Sequence, residues 1–449
     1  MILISEVQFI NSKKSDDVYM INLINAASNV ITRDLYNKLI KSDFENIEDN
    51  IISQLRERRF LFDSDEQYKS FISKLDSEIE KKEKSSPPNF LLIPTYACNL
   101  RCIYCYEQTY EISHCITSNQ IKIFDKQFSL LKDFVHDKFP NCDMSQIHIT
   151  LMGGEPLLKR NFDILEYMLK TIANEGCKID IVTNGVDLDN FLDILIKYGI
   201  EHIQITLDGG QKVHDRRRIK QDGSGSFEKI INNIKLAVSN NIKVYLRVNV
   251  DRDNISDLPN LSKLLVELFG KVSTIKPYLY LLQDGGCSGN DKVIEEAIGI
   301  KEIFELEKEN PSMKIFFKKY HPAKFINSIL ENKVYNPILR HCVASKNQYI
   351  LDFDGRVYKC WHGIGNKEYV CGKIDKSIEF NKMSKSWQDR SVKNIEKCKS
   401  CKYRYLCGTG CPAVTHYTVN DEVLKSASCV DYENLINSLV LYSLDETIC

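Results

Sequence analysis

Three cysteines stand within eight residues in the segment TYACNLRCIYCYE, which runs from residue 95 to residue 107. Cys98, Cys102 and Cys105 are separated by three and then two residues. A cubane iron–sulfur cluster normally takes four thiolates. Three thiolates in one tight loop would therefore hold three irons and leave the fourth iron open to another ligand. The alternatives are three neighbouring cysteines without a metal, or a zinc site that lacks one ligand.

Charge and composition narrow the class of protein. The 449 residues include 60 basic and 61 acidic ones, so no net field favours nucleic acid or an anionic membrane surface as a partner. No apolar run approaches the roughly 20 residues that span a bilayer, and the N-terminus lacks the pattern of a secretory signal. We therefore expect a cytoplasmic protein, in which sixteen cysteines serve metal, cluster or redox chemistry rather than disulfides.

The first 85 residues have the pattern of a small winged-helix-like module. ISEVQFI and DDVYMINLI predict paired strands, two amphipathic segments predict helices, RFLFD predicts a further strand, and DEQYKSFISKLDSEIEKKEK predicts a closing helix. The stretch KKEKSSPPN is the best candidate for a linker. Such modules can bind a peptide as an added strand on an open sheet edge, and VYMINLI (18–24) or SEVQFI (5–10) are the candidate edges. A purely structural or DNA-binding winged helix is the alternative.

Six short apolar runs then alternate with amphipathic segments over residues 86–290. The runs are FLLIPTYA, QIHITLMGG, KIDIVTNG, HIQITLDGG, KVYLRVNVD and KPYLYLLQDGG. This alternation predicts an α/β fold, a partial (β/α)6 barrel of the TIM-like kind, with its chemistry at the C-terminal ends of the strands. Residues 291–341 read as a helical connector, 342–432 as a cysteine-rich domain, and 433–449 as a C-terminal helix or tail.

The first cysteine motif resembles the CxxxCxΦC signature of radical S-adenosylmethionine (SAM) enzymes, with Tyr104 as the aromatic residue. The resemblance implies a [4Fe-4S] cluster that binds SAM and cleaves it to a 5'-deoxyadenosyl radical. Three later segments, GGEP, VTNG and TLDGGQKVHDRRR, resemble SAM-contacting strand ends of this family. The SAM-contacting residues that this resemblance implies are Gly153, Gly154, Glu155, Pro156, Asn184, Thr206 and Arg218.

A second cysteine field resembles the seven-cysteine SPASM extension of radical SAM enzymes that modify peptides and proteins. Cys342 is followed after twelve residues by Gly355 and after four more by Cys360, and CKSCKYRYLCGTGC then has cysteine gaps of two, five and three. The resemblance implies two auxiliary [4Fe-4S] clusters, three clusters in all. Their implied ligands interleave: Cys342, Cys360 and Cys411 for the first, and Cys398, Cys401, Cys407 and Cys429 for the second. Zinc is the competing interpretation of the C-x2-C pair.

Two positions, Asn336 and Cys371, decide whether the first auxiliary cluster has three protein thiolates or four. Some family members carry an extra cysteine six residues before the first SPASM cysteine, where this chain has Asn336. The first auxiliary cluster would then have three protein thiolates and one open iron, unless Cys371 supplies the fourth ligand. Five other cysteines follow no cluster spacing, and they are Cys115, Cys142, Cys177, Cys287 and Cys449.

Two kinds of SPASM enzyme compete as models for the function. Sulfatase-maturing enzymes place a general-base Asp directly after the cysteine that matches Cys360, and this chain has Trp361 there, whose indole cannot accept a proton. We therefore expect a maturase of a ribosomally made precursor peptide that forms Cys thioether links of the sactipeptide or ranthipeptide type. Sulfatase maturation, carbon–carbon crosslinking, decarboxylation and epimerisation remain alternatives, and a non-enzymatic electron carrier is a distant one. A leader peptide on the N-terminal module and an electron donor such as flavodoxin or ferredoxin are the expected partners.

Overall fold

A computed structural model of the protein describes residues 1–105, 107, 118–283, 292–318, 322–415 and 419–444. Cys115, Cys287, Cys449 and the end of the sixth predicted strand run, residues 284–286, lie outside these ranges. The strands are β1 (Ile2–Leu3), β2 (Val7–Asn11), β3 (Val18–Asn22), β4 (Ser28–Ile31), β5 (Leu61–Phe62), β6 (Asn89–Ile93), β7 (Leu100–Cys102), β8 (His148–Leu151), β9 (Lys178–Thr183), β10 (His202–Thr206), β11 (Arg218–Lys220), β12 (Val244–Val250), β13 (Ile275–Leu281), β14 (Phe317–Lys318), β15 (Gln348–Asp352), β16 (Arg356–Tyr358), β17 (Gly372–Ile374) and β18 (Ile378–Phe380).

The helices of the described residues range from four residues near the C-terminus to 21 residues in α3 and α4, and brief 3-10 turns lie between them. In chain order they are α1 (Arg33–Ile40), α2 (Asp49–Glu57), α3 (Asp65–Ser85), α4 (Ser118–Lys138), α5 (Phe162–Asn174), α6 (Leu192–Lys197), α7 (Gln211–Arg217), α8 (Phe227–Ser239), α9 (Leu258–Phe269), α10 (Glu296–Glu309), α11 (Ala323–Leu330), α12 (Lys382–Asp389), α13 (Glu396–Lys399), α14 (Arg404–Cys407), α15 (Pro412–Thr415), α16 (Asp421–Leu424) and α17 (Tyr432–Leu444).

The six predicted barrel strands are confirmed as one parallel sheet. Its order is β6, β8, β9, β10, β12, β13, and each neighbouring pair runs parallel. The sheet is covered by amphipathic helices: α5, for example, buries Leu165, Met168, Leu169 and Ile172, whose spacing places them on one helical face. Because parallel strands share a direction, the turns after their C-terminal ends gather at one edge, where the cysteine loop also lies.

The sheet extends past the predicted barrel on both sides. On one edge, β14 from the connector pairs parallel with β13. On the other, β15 from the cysteine-rich region pairs parallel with β6, and β16, β17 and β18 continue it as an antiparallel meander. The C-terminal helix α17 buries Leu435, Ile436 and Leu439 in the same hydrophobic core as the barrel strands. The barrel and the cysteine-rich region therefore share a sheet and a core.

The N-terminal module has the predicted order of strands and helices, with two strands more than expected: β1, which pairs with β5, and β4. The predicted hairpin is confirmed as β2 and β3, and β4 follows as a third antiparallel strand. Because β3 is paired on both sides, the proposal that residues 18–24 offer an open edge is wrong. The open edges are β2 and β4. Strand β4 was missed because Ser28 and Asn29 have weak strand propensity.

Helix α3 carries carboxylates along one face, and these form hydrogen bonds and ion pairs with the cysteine-rich region and the segment before it. Asp76, Glu80 and Glu83 are spaced by four and three residues, which places them in one row along the helix. None of the residues of α3 is fully buried, but Phe71, Ile72 and Leu75 pack against the hydrophobic cluster that contains Tyr405, so polar and apolar contacts together dock the helix. The contacts are Asp76 to the Tyr405 hydroxyl (2.8 Å), Glu80 to Lys393 Nζ (3.0 Å), and Glu83 to Arg340 Nη1 (2.6 Å) and Lys346 Nζ (3.0 Å).

Candidate functional site

The three clustered cysteines follow the first strand of the parallel sheet. Cys102 ends β7, a short strand that pairs antiparallel with β11, so that Cys102 lies opposite Arg218. The Cys105 amide donates to the Cys102 carbonyl at 3.1 Å. Cys98 Sγ accepts from the Leu100 amide at 3.4 Å. The loop is thus held by its own backbone with the cysteines in electrostatic contact with one another.

Burial governs the protonation of these thiols. It raises the pKa of Cys98 to about 12, and it raises the pKa of Cys102 and Cys105 as well, with each neighbouring thiolate adding to the effect at Cys98 and Cys105. Three thiolates held together therefore need a positive counter-charge, which the irons of a cluster supply. The donor set fits the cluster that the sequence predicts.

The glycine turn after β8 packs directly against the start of the cysteine loop. Gly153 has φ +135°, and a Cβ there would lie 2.5 Å from the Thr95 carbonyl oxygen. A Cβ on Gly154 would lie 2.3 Å from the Ala97 carbonyl oxygen. Two backbone hydrogen bonds join the segments, from Gly154 N to Thr95 O (3.0 Å) and from Glu155 N to Ala97 O (2.8 Å). Only glycine allows this approach.

The Glu155 side chain ties this turn to the end of β9. It is 1% exposed, and its carboxylate accepts from the Leu157 amide (2.8 Å), the Thr183 hydroxyl (2.7 Å) and the Asn184 amide (2.6 Å). Burial raises the pKa of Glu155 to about 7, and the three hydrogen bonds oppose that shift. The carboxylate is thus committed to protein donors, and Pro156 is buried in the turn beside it.

Asn184 and Thr206 occupy the ends of the next two strands. Asn184 Nδ2 lies 3.8 Å from Cys98 Sγ and 2.7 Å from Asn99 Oδ1, so this side chain touches the cysteine loop directly. Thr206 is the last residue of β10 and is buried, opposite Arg247 of β12 in the parallel register. Asn184 is therefore brought to the cysteines, whereas Thr206 has no recorded contact with them.

Tyr104 and Arg218 belong to a buried polar network beneath the cysteine loop. The Tyr104 hydroxyl donates to Asp208 Oδ2 and accepts from Arg218 Nη1 (2.8 Å) and Asn249 Nδ2 (3.2 Å). Arg217 lies below, with its guanidinium 5.1 Å from the centre of the Tyr104 ring. Sequence reasoning missed Asp208, Arg217, Asn249 and Asp251, although the acids and amides in TLDGG and VNVD stand at strand ends.

Arg218 has unsatisfied hydrogen-bonding capacity near the cysteines. Burial opposes its charge, but Cys102, Tyr104 and Asp208 raise the pKa of its guanidinium, so it remains cationic. The residue is 7% exposed, and its Nε has no hydrogen-bond partner among the described residues. A buried donor without a partner is rare and fits an anionic group of a bound ligand, such as the carboxylate of SAM.

The seven SPASM-type cysteines fall into two electrostatic groups. The thiol of Cys360 interacts with Cys342 and Cys411, and burial raises its pKa far above the ordinary value. Cys407 interacts with Cys398, Cys401 and Cys429, and burial raises its pKa to about 12. Cys371 also acts on Cys360; apart from it, these are the two sets that the resemblance implies, although the members alternate along the chain.

The spacing of the thiols bears on the zinc interpretation. Within the described ranges, no three His, Cys, Asp or Glu side chains converge as the ligands of a single metal ion do. A cubane does not require such convergence, because each thiolate binds a different iron.

A cavity of about 1430 Å³ reaches the first cysteine group. This volume exceeds the roughly 300–1,000 Å³ of ordinary small-molecule sites. Its walls come from α3, the end of β13, α11 and the cysteine-rich region. Cys342, Cys360, Cys411, Asn336 and Trp361 are among the lining residues.

Cys371 is close to Cys360 but does not line this cavity. It is completely buried, its amide donates to Val357 O (2.7 Å), and its thiol donates to Tyr369 O (3.4 Å). Its side chain packs in an apolar cluster with Tyr358 and Trp387. The position is that of a core residue beside the first cysteine group.

A three-cysteine loop at the C-terminal edge of a parallel α/β sheet, with a glycine turn against it, defines a radical SAM domain. Residues 92–265 match the family model described as the radical SAM superfamily. The chain therefore contains a radical SAM domain over these residues, and the protein is an enzyme.

Individual relatives connect the chain to peptide- and protein-modifying members. It is 25% identical over 334 residues to a cysteine-type anaerobic sulfatase-maturating enzyme of Clostridium novyi. The aligned region covers 70% of this chain and 84% of that enzyme. Its fold is similar to that of native anSMEcpe with bound AdoMet and Cp18Cys peptide (TM-score 0.57, 18% identity, 81% of this chain and 98% of that one). It is also similar to Streptococcus suis SuiB bound to precursor peptide SuiA (TM-score 0.56, 15% identity, 95% and 99%).

Proposed function

We propose that the enzyme matures a ribosomally made precursor peptide by forming Cys thioether crosslinks. The observation that carries this proposal is the large cavity, because three cysteines of one group, and no fourth among the described residues, line it. A cluster held by Cys342, Cys360 and Cys411 would have one iron free for a substrate thiolate. The volume of the cavity suits a segment of peptide better than a small metabolite.

The residues of the radical SAM domain have roles that follow from their contacts. Cys98, Cys102 and Cys105 would hold the SAM-binding cluster, and the free Nε of Arg218 would receive the carboxylate of SAM. Gly153 and Gly154 let the turn lie against the cysteine loop, and SAM would bind beside it. When bound there, SAM and the cluster would supply radical chemistry able to activate an unreactive C–H bond, and the auxiliary clusters would supply a place for the surplus electron.

The N-terminal module would bind the leader of the precursor at an open sheet edge. Strand β4 pairs only with β3, and Val30 on it is 57% exposed. Strand β2 is less accessible, because Gln8 contacts Tyr403 and Asn437 of the C-terminal region. We therefore assign the added strand to β4, where backbone hydrogen bonds would give affinity without a sharp sequence motif.

Within the described ranges, no helix has the length and apolar character to cross a membrane.

Sulfatase maturation is the second candidate, favoured by the match over 84% of the Clostridium novyi enzyme. Against it stands Trp361, which lines the cavity next to Cys360 and cannot serve as a proton acceptor. Carbon–carbon crosslinking and epimerisation would use the same cysteines, so the product decides among them.

The test is to incubate the reconstituted full chain with SAM, a reductant and any short Cys-containing peptide found to be encoded beside its gene, with a sulfatase peptide in parallel, and to analyse the peptides by mass spectrometry. Each thioether should remove two hydrogens, one from sulfur and one from carbon. Cys98→Ala should abolish SAM cleavage, and Cys360→Ala should retain some cleavage but lose the product. Cys142→Ala is the matched control, because this cysteine follows no cluster spacing. An aldehyde product on a sulfatase peptide, with none on the precursor, would refute the proposal.

A further inference from the structure

Arg390, at the end of α12, is an arginine buried without an acidic partner. It is 2% exposed, and no carboxylate among the described residues forms an ion pair with it. Its guanidinium donates only to neutral oxygens. These are the carbonyls of Val423 (3.1 Å), Leu424 (2.8 Å), Ser426 (2.6 Å), Thr409 (3.1 Å) and Gly410 (3.4 Å), and the Ser428 hydroxyl (2.9 Å).

Such a position is costly unless a negative charge lies nearby. A guanidinium stays protonated in proteins, and a buried charge without compensation costs several kcal/mol even when it is hydrogen-bonded. Neutral oxygens accept from Nη1 and Nη2, whereas Nε has no hydrogen-bond partner among the described residues, and the net charge stays in place. The structure must therefore hold its counter-charge in some group other than a carboxylate.

The hydrogen bonds of Arg390 lie where two cysteine-bearing segments cross. Gly410 immediately precedes Cys411, and Ser428 immediately precedes Cys429. These two cysteines belong to different groups. The segments also bond to each other, from Ser428 N to Thr409 O at 2.9 Å.

The crossing is tight enough to constrain the backbone. A Cβ on Gly410 would lie 1.7 Å from the Ser428 carbonyl oxygen. Thr409 has φ +90°, which a β-branched residue rarely adopts. Backbone strain of this kind is maintained only where the surrounding contacts over-determine it, and Arg390 supplies several of those contacts.

Once they are deprotonated as cluster ligands, the cysteines are negative groups close enough to interact with Arg390. Arg390 interacts electrostatically with Cys398 and Cys407 of one group and with Cys342 and Cys411 of the other. Burial lowers the pKa of the guanidinium, and these thiolates oppose that shift. Arg390 thus faces both cysteine groups from a single position.

We infer that Arg390 is a positioning residue shared by the two auxiliary clusters, and that its charge compensates the thiolate charge of both. The inference rests on the proposed assignment of these cysteines to clusters. Adding an electron makes a cluster more negative, so a buried cation nearby stabilises the reduced form and raises the reduction potential. One arginine would in this way set the potentials of both clusters together.

The experiment compares Arg390→Gln, which removes the charge, with Arg390→Lys, which keeps it. Arg356→Gln is the matched control, because Arg356 lies in the same region but pairs with Asp352 and Asp354 and has no recorded cysteine interaction. Each full-length protein is reconstituted anaerobically, analysed for iron and sulfide, and titrated with dithionite while the clusters are followed by electron paramagnetic resonance.

For Arg390→Gln, we expect reduction of the auxiliary clusters to become less favourable by roughly tenfold, or about 59 mV for one electron. The SAM-binding cluster should be unchanged, and Arg390→Lys should recover part of the shift. Auxiliary potentials in Arg390→Gln equal to those of Arg356→Gln would overturn the inference. Equal shifts in the Gln and Lys variants would also overturn it, because charge would then play no part.

Two further outcomes separate this inference from the cluster assignment. If the wild type binds only about four irons, the chain has one cluster, and both the assignment and the inference fail. If it binds about twelve irons and the potentials do not respond to Arg390, the inference fails alone. Loss of auxiliary iron from Arg390→Gln but not from Arg390→Lys supports the inference. Loss of auxiliary iron from both of these variants would mean that Arg390 acts only through its shape, and this result would overturn the inference.

Discussion

Gly154→Ala tests the contact between the glycine turn and the cysteine loop. The added Cβ would lie 2.3 Å from Ala97 O, 2.4 Å from Tyr96 O and 2.5 Å from Tyr96 C, all of them backbone atoms that cannot rotate away. The protein can keep the overlap as strain, at about 1–3 kcal/mol. Alternatively, the turn can move and weaken its two hydrogen bonds to the cysteine loop, worth together about 1–3 kcal/mol. Either response lowers the free energy of unfolding by a similar amount.

The measurement is urea unfolding of the apo protein, together with iron content after reconstitution. Gly210→Ala is the matched control, since a Cβ there would meet only the Asp257 carboxylate at 3.4 Å and Gly210 needs no positive φ. We expect Gly154→Ala to lose about 1–3 kcal/mol relative to this control and to bind SAM more weakly. Equal stability, iron content and SAM affinity in the two variants would show that the turn does not support the loop.

Two other contacts give simpler predictions. Glu83→Gln should weaken the pairing of α3 with Arg340 and Lys346 by about 1–3 kcal/mol, because the paired side chains are largely buried. Proteolysis of α3 should therefore be faster in this variant. The control Glu78→Gln changes an exposed residue of the same helix and should leave the cleavage rate unchanged. Unchanged cleavage rates would contradict the docking role of this helix face. Tyr104→Phe should cost about 1–3 kcal/mol in urea unfolding, because three buried polar groups lose their common partner. An undiminished free energy of unfolding would contradict that network.

The parts of the site that are local in sequence could be predicted from the sequence. Cys98, Cys102 and Cys105 share one loop, so their spacing alone indicates a common site. The apolar runs likewise predicted all six parallel strands, because each run is a continuous buried segment. Local patterns of this kind do not depend on which distant segment packs against them.

Long-range partners could not be predicted in the same way. Asp208 and Asp251 follow different strands, and only the fold brings them to Arg217 and Tyr104. Nothing in the sequence of β15 marks it as the neighbour of β6. From the sequence, Arg390 would be placed on the surface, because no sequence pattern indicates that backbone carbonyls surround it. Such features appear only when the three-dimensional arrangement is known.

Cys371→Ala decides whether the first cysteine group has three protein thiolates or four. The Cys371 thiol bonds to Tyr369 O inside an apolar cluster and is absent from the cavity wall that Cys342, Cys360 and Cys411 share. Cys342, Cys360 and Cys411 pack against the same cluster, but Cys371 could act as a fourth ligand only by giving up its hydrogen bond to Tyr369 O. We therefore expect Cys371→Ala to keep its iron content and its auxiliary-cluster resonance signal, whereas Cys360→Ala should lose both in part. Loss of iron from Cys371→Ala equal to that from Cys360→Ala would mean that the cluster is closed, and the substrate thiolate would then need another binding position.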